Sequence, residues 1–452
     1  MSFSKKMLAF AAVSALTAAT AVPAMALENE FHGMFKFMGY QGNALTGGNS
    51  KVLLNSDSHS GFFAEQRARI MYTAKANDNL KLVTHFELDT RFGGVAGGYK
   101  GIASGNDGGN IDADQLTLET KNVYLDFNCP ITGSNVKAGL QPWGDAYGSL
   151  FLFADMTGLY ATKKFDPLTA SLGWFRFDDN TTSTATTGAG QLTGDLIVAD
   201  AKFAVNKDMT VGASYYNVQN DTGLSSATTT APTVSVPNFE ILHMVGVNAD
   251  MKFGPAAVKP FAAYQFGEIN GADDVSAYLL GATAKVKAGP GSVNLAGYYM
   301  SGDEATTGDR DSFQTLGGAF TYFNASNMWL LVRPNQAVNT STSVLGNDMT
   351  VGGRGSYGLF AGYEGTSGKV FYNANLGYMA AVEERGSEDG AIGTEINAQV
   401  GYKMFDNLSV SAAAAYAVLG DGLTGATDGI AGFSTADADD PYLLNVQLSY
   451  VF

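Results

Sequence analysis

Residues 80–92, LKLVTHFELDTRF, decide the fold class. Read as an extended chain, Leu82, Thr84, Phe86, Leu88 and Phe92 share one side, and Lys81, His85, Glu87, Asp89 and Arg91 share the other, because successive side chains of a strand point to opposite faces. One face suits hydrocarbon and the other suits water. Residues 63–75 repeat the pattern, with Glu65, Arg67 and Arg69 opposite Ala64, Ala68, Ile70, Tyr72 and Ala74. Further on, Asn248, Asp250 and Lys252 stand opposite Val247, Ala249, Met251 and Phe253, and Glu395, Asn397, Gln399 and Lys403 stand opposite Ile396, Ala398, Val400 and Tyr402. A charged side chain turned toward lipid near the midplane costs about 2–4 kcal/mol, so the charged faces look inward onto water.

Outward from this stretch, segments of about ten residues alternate in the same way from Leu27 onward. Short turns such as Ala76-Asn77-Asp78-Asn79, Asn206-Lys207-Asp208 and Phe405-Asp406-Asn407 take turns with long Gly-, Thr-, Asp- and Asn-rich stretches at 42–61, 93–114, 178–194, 220–237, 336–355 and 420–440. Strict segregation of short and long connections is the mark of a membrane barrel, with short turns on one side and long loops on the other. The expectation is an all-β transmembrane antiparallel up-and-down β-barrel of about twenty strands, with sixteen or eighteen also compatible. Residues 328–334 are a candidate strand. Across 115–127 the apolar parity switches from Leu116 and Leu118 to Val123, Leu125 and Phe127, and a bulge near 120–122 would restore the phase.

The N-terminus carries Lys5 and Lys6, an apolar run over 7–21 and Ala24-Met25-Ala26, the layout of a secretory signal peptide cleaved after Ala26. The expected organisation is a signal peptide at 1–26 and one barrel domain at 27–452. Of the 452 residues 45% are hydrophobic and only 15% charged, below the level usual for a soluble domain. The net charge of -16 disfavours nucleic acid as a partner. The single cysteine, Cys129, excludes an internal disulfide and any cysteine-based metal cluster.

The chain ends in PYLLNVQLSYVF, with Tyr442, Leu444, Val446, Leu448, Tyr450 and Phe452 on one face. Here it resembles the Gram-negative porin family, whose members end in an amphipathic strand with a terminal aromatic residue, and it is similar in kind to the abundant porins of metal-respiring bacteria. The resemblance implies that Tyr450 and Phe452 form the signal read by the barrel-assembly machinery, after passage with periplasmic chaperones. A second likeness lies in NVKAGLQPWGDAYGSLFLFADMTGLYA, residues 135–161, which looks like a porin strand followed by the third external loop. In the family that loop folds into the barrel and faces a basic cluster with acidic residues. Asp145 and Asp155 are thereby the candidate constriction-loop acids. Arg67, Arg69, Lys81, Glu87, Asp89, Arg91 and Lys137 are the candidate pore-lining residues.

The function implied is passive diffusion of ions and small hydrophilic solutes across the outer membrane. Expected surroundings are outer-membrane lipid and lipopolysaccharide, and the family resemblance implies a homotrimer. No catalytic constellation is recognisable. His32, His59, His85 and His243 show no metal-ligand spacing, so no metal and no cofactor is expected. Gly352-Gly353-Arg354-Gly355 lacks the Lys-Ser/Thr pair and following helix of a nucleotide loop. A barrel enzyme would need a nucleophile, a His and a carboxylate at one rim; a secreted or surface adhesin would not need a lipid face. Tyr and Phe near strand ends, such as Tyr40, Tyr72, Tyr264 and Tyr299, fit interfacial girdles.

Overall fold

The computed structural model describes residues 27–44, 58–93, 109, 118–179, 189–190, 192–222, 239–269, 273–304, 308–316, 321–332, 343–346, 348–384, 390–423 and 438–452. The expected signal peptide at 1–26 lies outside them.

The described residues form an 18-stranded antiparallel sheet that closes on itself. The first six strands are β1 (Glu28–Gly42), β2 (Gly61–Asn77), β3 (Leu80–Arg91), β4 (Glu119–Asn128), β5 (Asn135–Gly144) and β6 (Phe153–Lys164). Next come β7 (Leu168–Asp179), β8 (Thr193–Asn206), β9 (Met209–Asn220), β10 (Phe239–Phe253), β11 (Ala256–Ile269) and β12 (Asp273–Ala288). The last six are β13 (Gly291–Met300), β14 (Ser356–Ser367), β15 (Val370–Ala381), β16 (Ala391–Phe405), β17 (Leu408–Leu419) and β18 (Tyr442–Val451). Each strand pairs with its sequence neighbour, and β1 pairs with both β2 and β18. An all-β barrel is thus borne out, with the strand number at eighteen.

The difference from about twenty lies in the long connection 301–355. Within the candidate strand 328–334, the described residues 328–332 form no strand: Met328, Trp329, Leu330, Leu331 and Val332 are all buried inside the barrel, and 333–334 lie outside the described residues. Five consecutive apolar side chains do not alternate, and an unpaired segment finds its burial inside the wall rather than as part of it. The parity switch in β4 is a bulge. His85 pairs with Asn122 and Phe86 with Thr120, which leaves Lys121 as the extra residue.

The barrel is stitched shut at its terminus. The Gly33 N–H donates to the Phe452 carbonyl at 2.9 Å, and the Phe452 N–H donates to the Gly33 carbonyl at 3.0 Å. A side chain at position 33 would meet the Arg69 carbonyl oxygen and the Phe452 ring, both at 2.5 Å, so glycine lets the last residue close the seam.

Outward faces carry exposed apolar side chains such as Leu172, Leu280, Leu359, Ile396 and Val446. Burial of inward residues is uneven. One continuous apolar cluster fills much of the interior, formed by Tyr147, Leu150 and Phe151 of the β5–β6 connection, by Phe313, Phe323 and Leu330 of the 301–355 connection, and by inward residues from most of the wall. Leu359 on β14 is 66% exposed on the outer face, where only hydrocarbon can cover it. Leu359→Arg should therefore lower barrel stability by about 2–4 kcal/mol in bilayers, measured by denaturant unfolding in lipid vesicles; an unchanged midpoint would contradict the assignment of this face to lipid.

Candidate functional site

The inward face of β1–β4 is a rack of charge set by strand register. Three rungs run side by side: Met38, Glu65 and Arg91; Lys36, Arg67 and Asp89; Met34, Arg69 and Glu87. Because direct partners across a sheet project to the same side, the period-two pattern of the sequence sets the arginines of β2 opposite the carboxylates of β3, with Lys36 flanking Arg67. Arg67 Nε donates to Asp89 Oδ1 at 2.7 Å, and its second arm reaches Glu87 at 3.3 Å. Arg69 pairs with Glu87, and Arg91 reaches Glu65 at 3.3 Å. The carboxylates sit deepest. Glu65 and Glu87 side chains are 0% and 4% exposed, against 27% for Arg69, so the guanidinium ends stand nearer the water.

Polar contacts also link β3, β4 and β6 beside the rack, where Asp155 has the strand parity of exposed Phe153 and Leu159 and not that of buried Met156. Lys121 Nζ lies 2.9 Å from Asp155, Asn122 Nδ2 donates to the same carboxylate at 2.8 Å, and His85 Nδ1 meets Asn122 Oδ1 at 3.2 Å. Toward the short-turn end, Lys81 pairs with Asp126 at 3.3 Å, and the Lys137 ammonium lies 5.7 Å from the centre of the Tyr124 ring.

Opposite this rack the interior is apolar and occupied. No buried member of the apolar cluster comes from β2, β3 or β4; Phe63 only touches its edge. The segments that carry the cluster inward are held by two buried carboxylates. Asp145 receives backbone N–H donors from Tyr147, Ser149, Phe151 and Leu152 at 2.6, 3.0, 2.8 and 2.8 Å. Burial pushes its carboxyl above the ordinary carboxylate range, and those four donors oppose the shift. Glu395 on β16 does the same across the lumen. It accepts the N–H groups of Trp329, Leu330 and Leu331 at 2.7, 2.9 and 2.9 Å and the Asn397 amide at 2.8 Å. The fully buried Arg354 anchors the end of the same connection, donating from Nε to the Glu383 carbonyl at 2.9 Å and from Nη1 to the Gly422 carbonyl at 2.5 Å.

A closed strand wall, inward charge on one arc and an apolar cluster with in-folded connections on the other make up the interior of the barrel. A profile of Gram-negative porins matches residues 11–333. The chain belongs to the Gram-negative porin family. The porin's fold is similar to that of Pseudomonas aeruginosa OpdL, at 11% identity over 94% of this chain and 99% of that one, with a TM-score of 0.56. It is also similar to Acinetobacter baumannii OccAB4 (12% identity, 95% and 100% covered, TM-score 0.53) and to a BenF-like porin from Pseudomonas fluorescens Pf-5 (12%, 94% and 98%, 0.52). At these identities the likeness is one of fold. No curated protein matches the sequence. As a member of the family, the protein is a passive diffusion channel of the outer membrane and not an enzyme.

Of the residues singled out from sequence, the porin brings Arg67, Arg69, Glu87, Asp89 and Arg91 together in the rack, while Lys81 and Lys137 lie apart near the short-turn end. The two expected constriction-loop acids stand otherwise. The β5–β6 connection is only residues 145–152, and Asp145 turns back on that connection's own amides instead of facing open water. Asp155 is not in the connection at all; it lies on β6, paired with Lys121. Among the described residues the major in-folded stretch is around 313–332 of the 301–355 connection, and sequence reading passed over the anchors Glu395 and Arg354. The only signal was the apolar run at 328–332, which no lipid-facing strand explains.

The Glu395 clamp yields a test. Glu395→Gln keeps the shape but turns a donor toward N–H groups that need an acceptor, at a cost of about 1–3 kcal/mol. Proteolysis of the folded barrel should then cut within 301–355 at doses that spare the parent; equal protection would contradict the clamp.

Proposed function

We propose that ions and small hydrophilic solutes cross this porin along an off-centre water path against the β2–β4 wall. Arg67, Arg69, Glu87, Asp89 and Arg91 would line its narrow part, and Lys81 and Lys137 its wider part toward the short turns. The in-folded 301–355 and 145–152 connections would set the constriction from the other side. The observation that carries this reading is the gap in the apolar cluster: its buried members come from other strands, but none from β2, β3 or β4. A charged rack against packed apolar groups would pay a desolvation cost that its ion pairs repay poorly. Water on its open side removes that cost. In such a gap the charged groups act on solutes through a field that bulk water would weaken.

The same reading covers export and assembly. Residues 1–26 would be removed after export. Tyr450 and Phe452, whose rings stack at 5.5 Å, would present the terminal signal to the barrel-assembly machinery after delivery by periplasmic chaperones. Lipopolysaccharide and outer-membrane lipid would surround the apolar outer face, and homotrimer formation is carried over from the family resemblance.

The path can be probed with thiol chemistry in a Cys129→Ser background. Arg69→Cys, treated with a water-soluble charged thiol reagent, should lose roughly half its single-channel current as the path narrows. Val198→Cys, on β8 within the apolar cluster, should be unaffected. Current that ignores modification at position 69 but responds at position 198 would place the path on the wrong side.

A further inference from the structure

The short-turn end of the lumen carries a second set of inward charges that the rack does not include. Register places Lys202 beside Gly212 and Asn248, and Lys252 beside Ala257 and Lys285. Lys259 and Lys287 fall on the same inward face of β11 and β12. Of these, Lys259 pairs with Asp250 at 2.8 Å, and Lys285 pairs with Glu364. Asp200, the remaining inward acid of this arc, accepts from Ser214 Oγ at 2.7 Å and Tyr216 Oη at 3.1 Å. Lys202, Lys252 and Lys287 are left without a carboxylate partner among the described residues. Lys285 and Lys287 border a recess of about 590 Å³ together with Ser292 and Asn373, so the ammonium groups there have room for water and for counter-ions.

Of the acids at this end, Asp250 and Glu364 pair with Lys259 and Lys285, and Asp208 of the β8–β9 turn lies 3.9 Å from Lys207. Asp145 and Glu395 spend their charge on backbone N–H groups inside the in-folded connections, and in the rack Glu65, Glu87 and Asp89 each pair with an arginine, with Glu119 beside Glu87 in register. The acidic external connections sit at the far end of the strands. At about 3.4 Å per residue a strand such as β12 is roughly 50 Å long. That is several times the screening length of about 8 Å at physiological salt. Charge at the external mouth therefore does not cancel charge at the lysines.

We propose that Lys202, Lys252 and Lys287 form an anion-attracting vestibule at the short-turn end of the lumen, and that this acidic protein is consequently an anion-preferring channel for small inorganic anions such as chloride and phosphate. The proposal rests on the channel reading above and names its solute class. Compact ammonium groups on a confining low-dielectric wall raise the local anion concentration and lower that of cations.

The test is the reversal potential of the refolded full-length protein in a planar bilayer under a potassium chloride gradient, repeated with potassium phosphate. The parent should reverse on the anion side. The triple variant Lys202→Gln, Lys252→Gln, Lys287→Gln should lower the anion-to-cation permeability ratio by about twofold or more, an effect that shrinks at 1 M salt, where screening falls to about 3 Å. The triple Lys→Arg variant should retain the parental ratio, and heat-modifiable mobility identifies folded barrels in each case. Should the triple Gln variant fail to fold, Lys287→Gln alone should show a smaller shift of the same sign. A cation-preferring parent, or a Gln variant indistinguishable from it, would overturn the vestibule. Folded barrels that pass no current at all would overturn the channel reading instead.

Discussion

The pairing of β1 with β18 is the constraint on which the rest of the molecule depends. In hydrocarbon an unpaired backbone group costs several kcal/mol, so a sheet can span a membrane only when it has no edge. Here the seam runs from Met34 opposite Val451 to Gly42 opposite Leu443, and the backbone of Phe452 completes it against Gly33. Closure fixes a single inside and outside for every strand. Once that is set, a shift of one residue would turn the charged rack into the bilayer, so the Lys121 bulge is needed to keep β4 in phase with β3.

A closed wall of this size leaves a wide interior, and the protein narrows it with chain rather than with side chains alone. Bringing a connection inside exposes its amides to an apolar cluster, and those donors must be satisfied. Asp145 and Glu395 meet that need with charged acceptors, which form stronger bonds than neutral ones. The consequence reaches the electrostatics of the lumen. Carboxylates are thereby used as backbone anchors, or lie buried beneath guanidinium groups like Glu65 and Glu87.

The fold was legible from residues 80–92 because strand parity is local: which of Leu82 or Lys81 faces lipid depends on nothing beyond the alternation itself. The rack was legible for the same reason, since Arg67, Arg69, Glu87, Asp89 and Arg91 share inward parity on adjacent strands. The surroundings of Asp145 and Asp155 were not. Asp145 and Asp155 read alike as acids near an expected loop, yet one is wrapped by its own turn and the other pairs on a strand. Glu395 had inward parity from the start, but nothing in its neighbours Ile396 and Asn397 distinguishes an anchor from a pore-lining acid.

By itself, then, the sequence determined the closed all-β architecture, the sidedness of its strands and the charged face of β2 and β3, because these follow from a period of two and from the cost of charge in lipid. Tertiary structure alone decided that the described residues form eighteen strands, that 328–332 and their described neighbours in the 301–355 connection are buried within the barrel, and which carboxylates are spent on holding them there. Those outcomes rest on contacts such as Glu395 with Leu330, far apart in the chain. An apolar run or a lone acid looks the same whether it ends up in the wall, in a loop or inside the lumen, and only the closed barrel supplies the partners that choose among them.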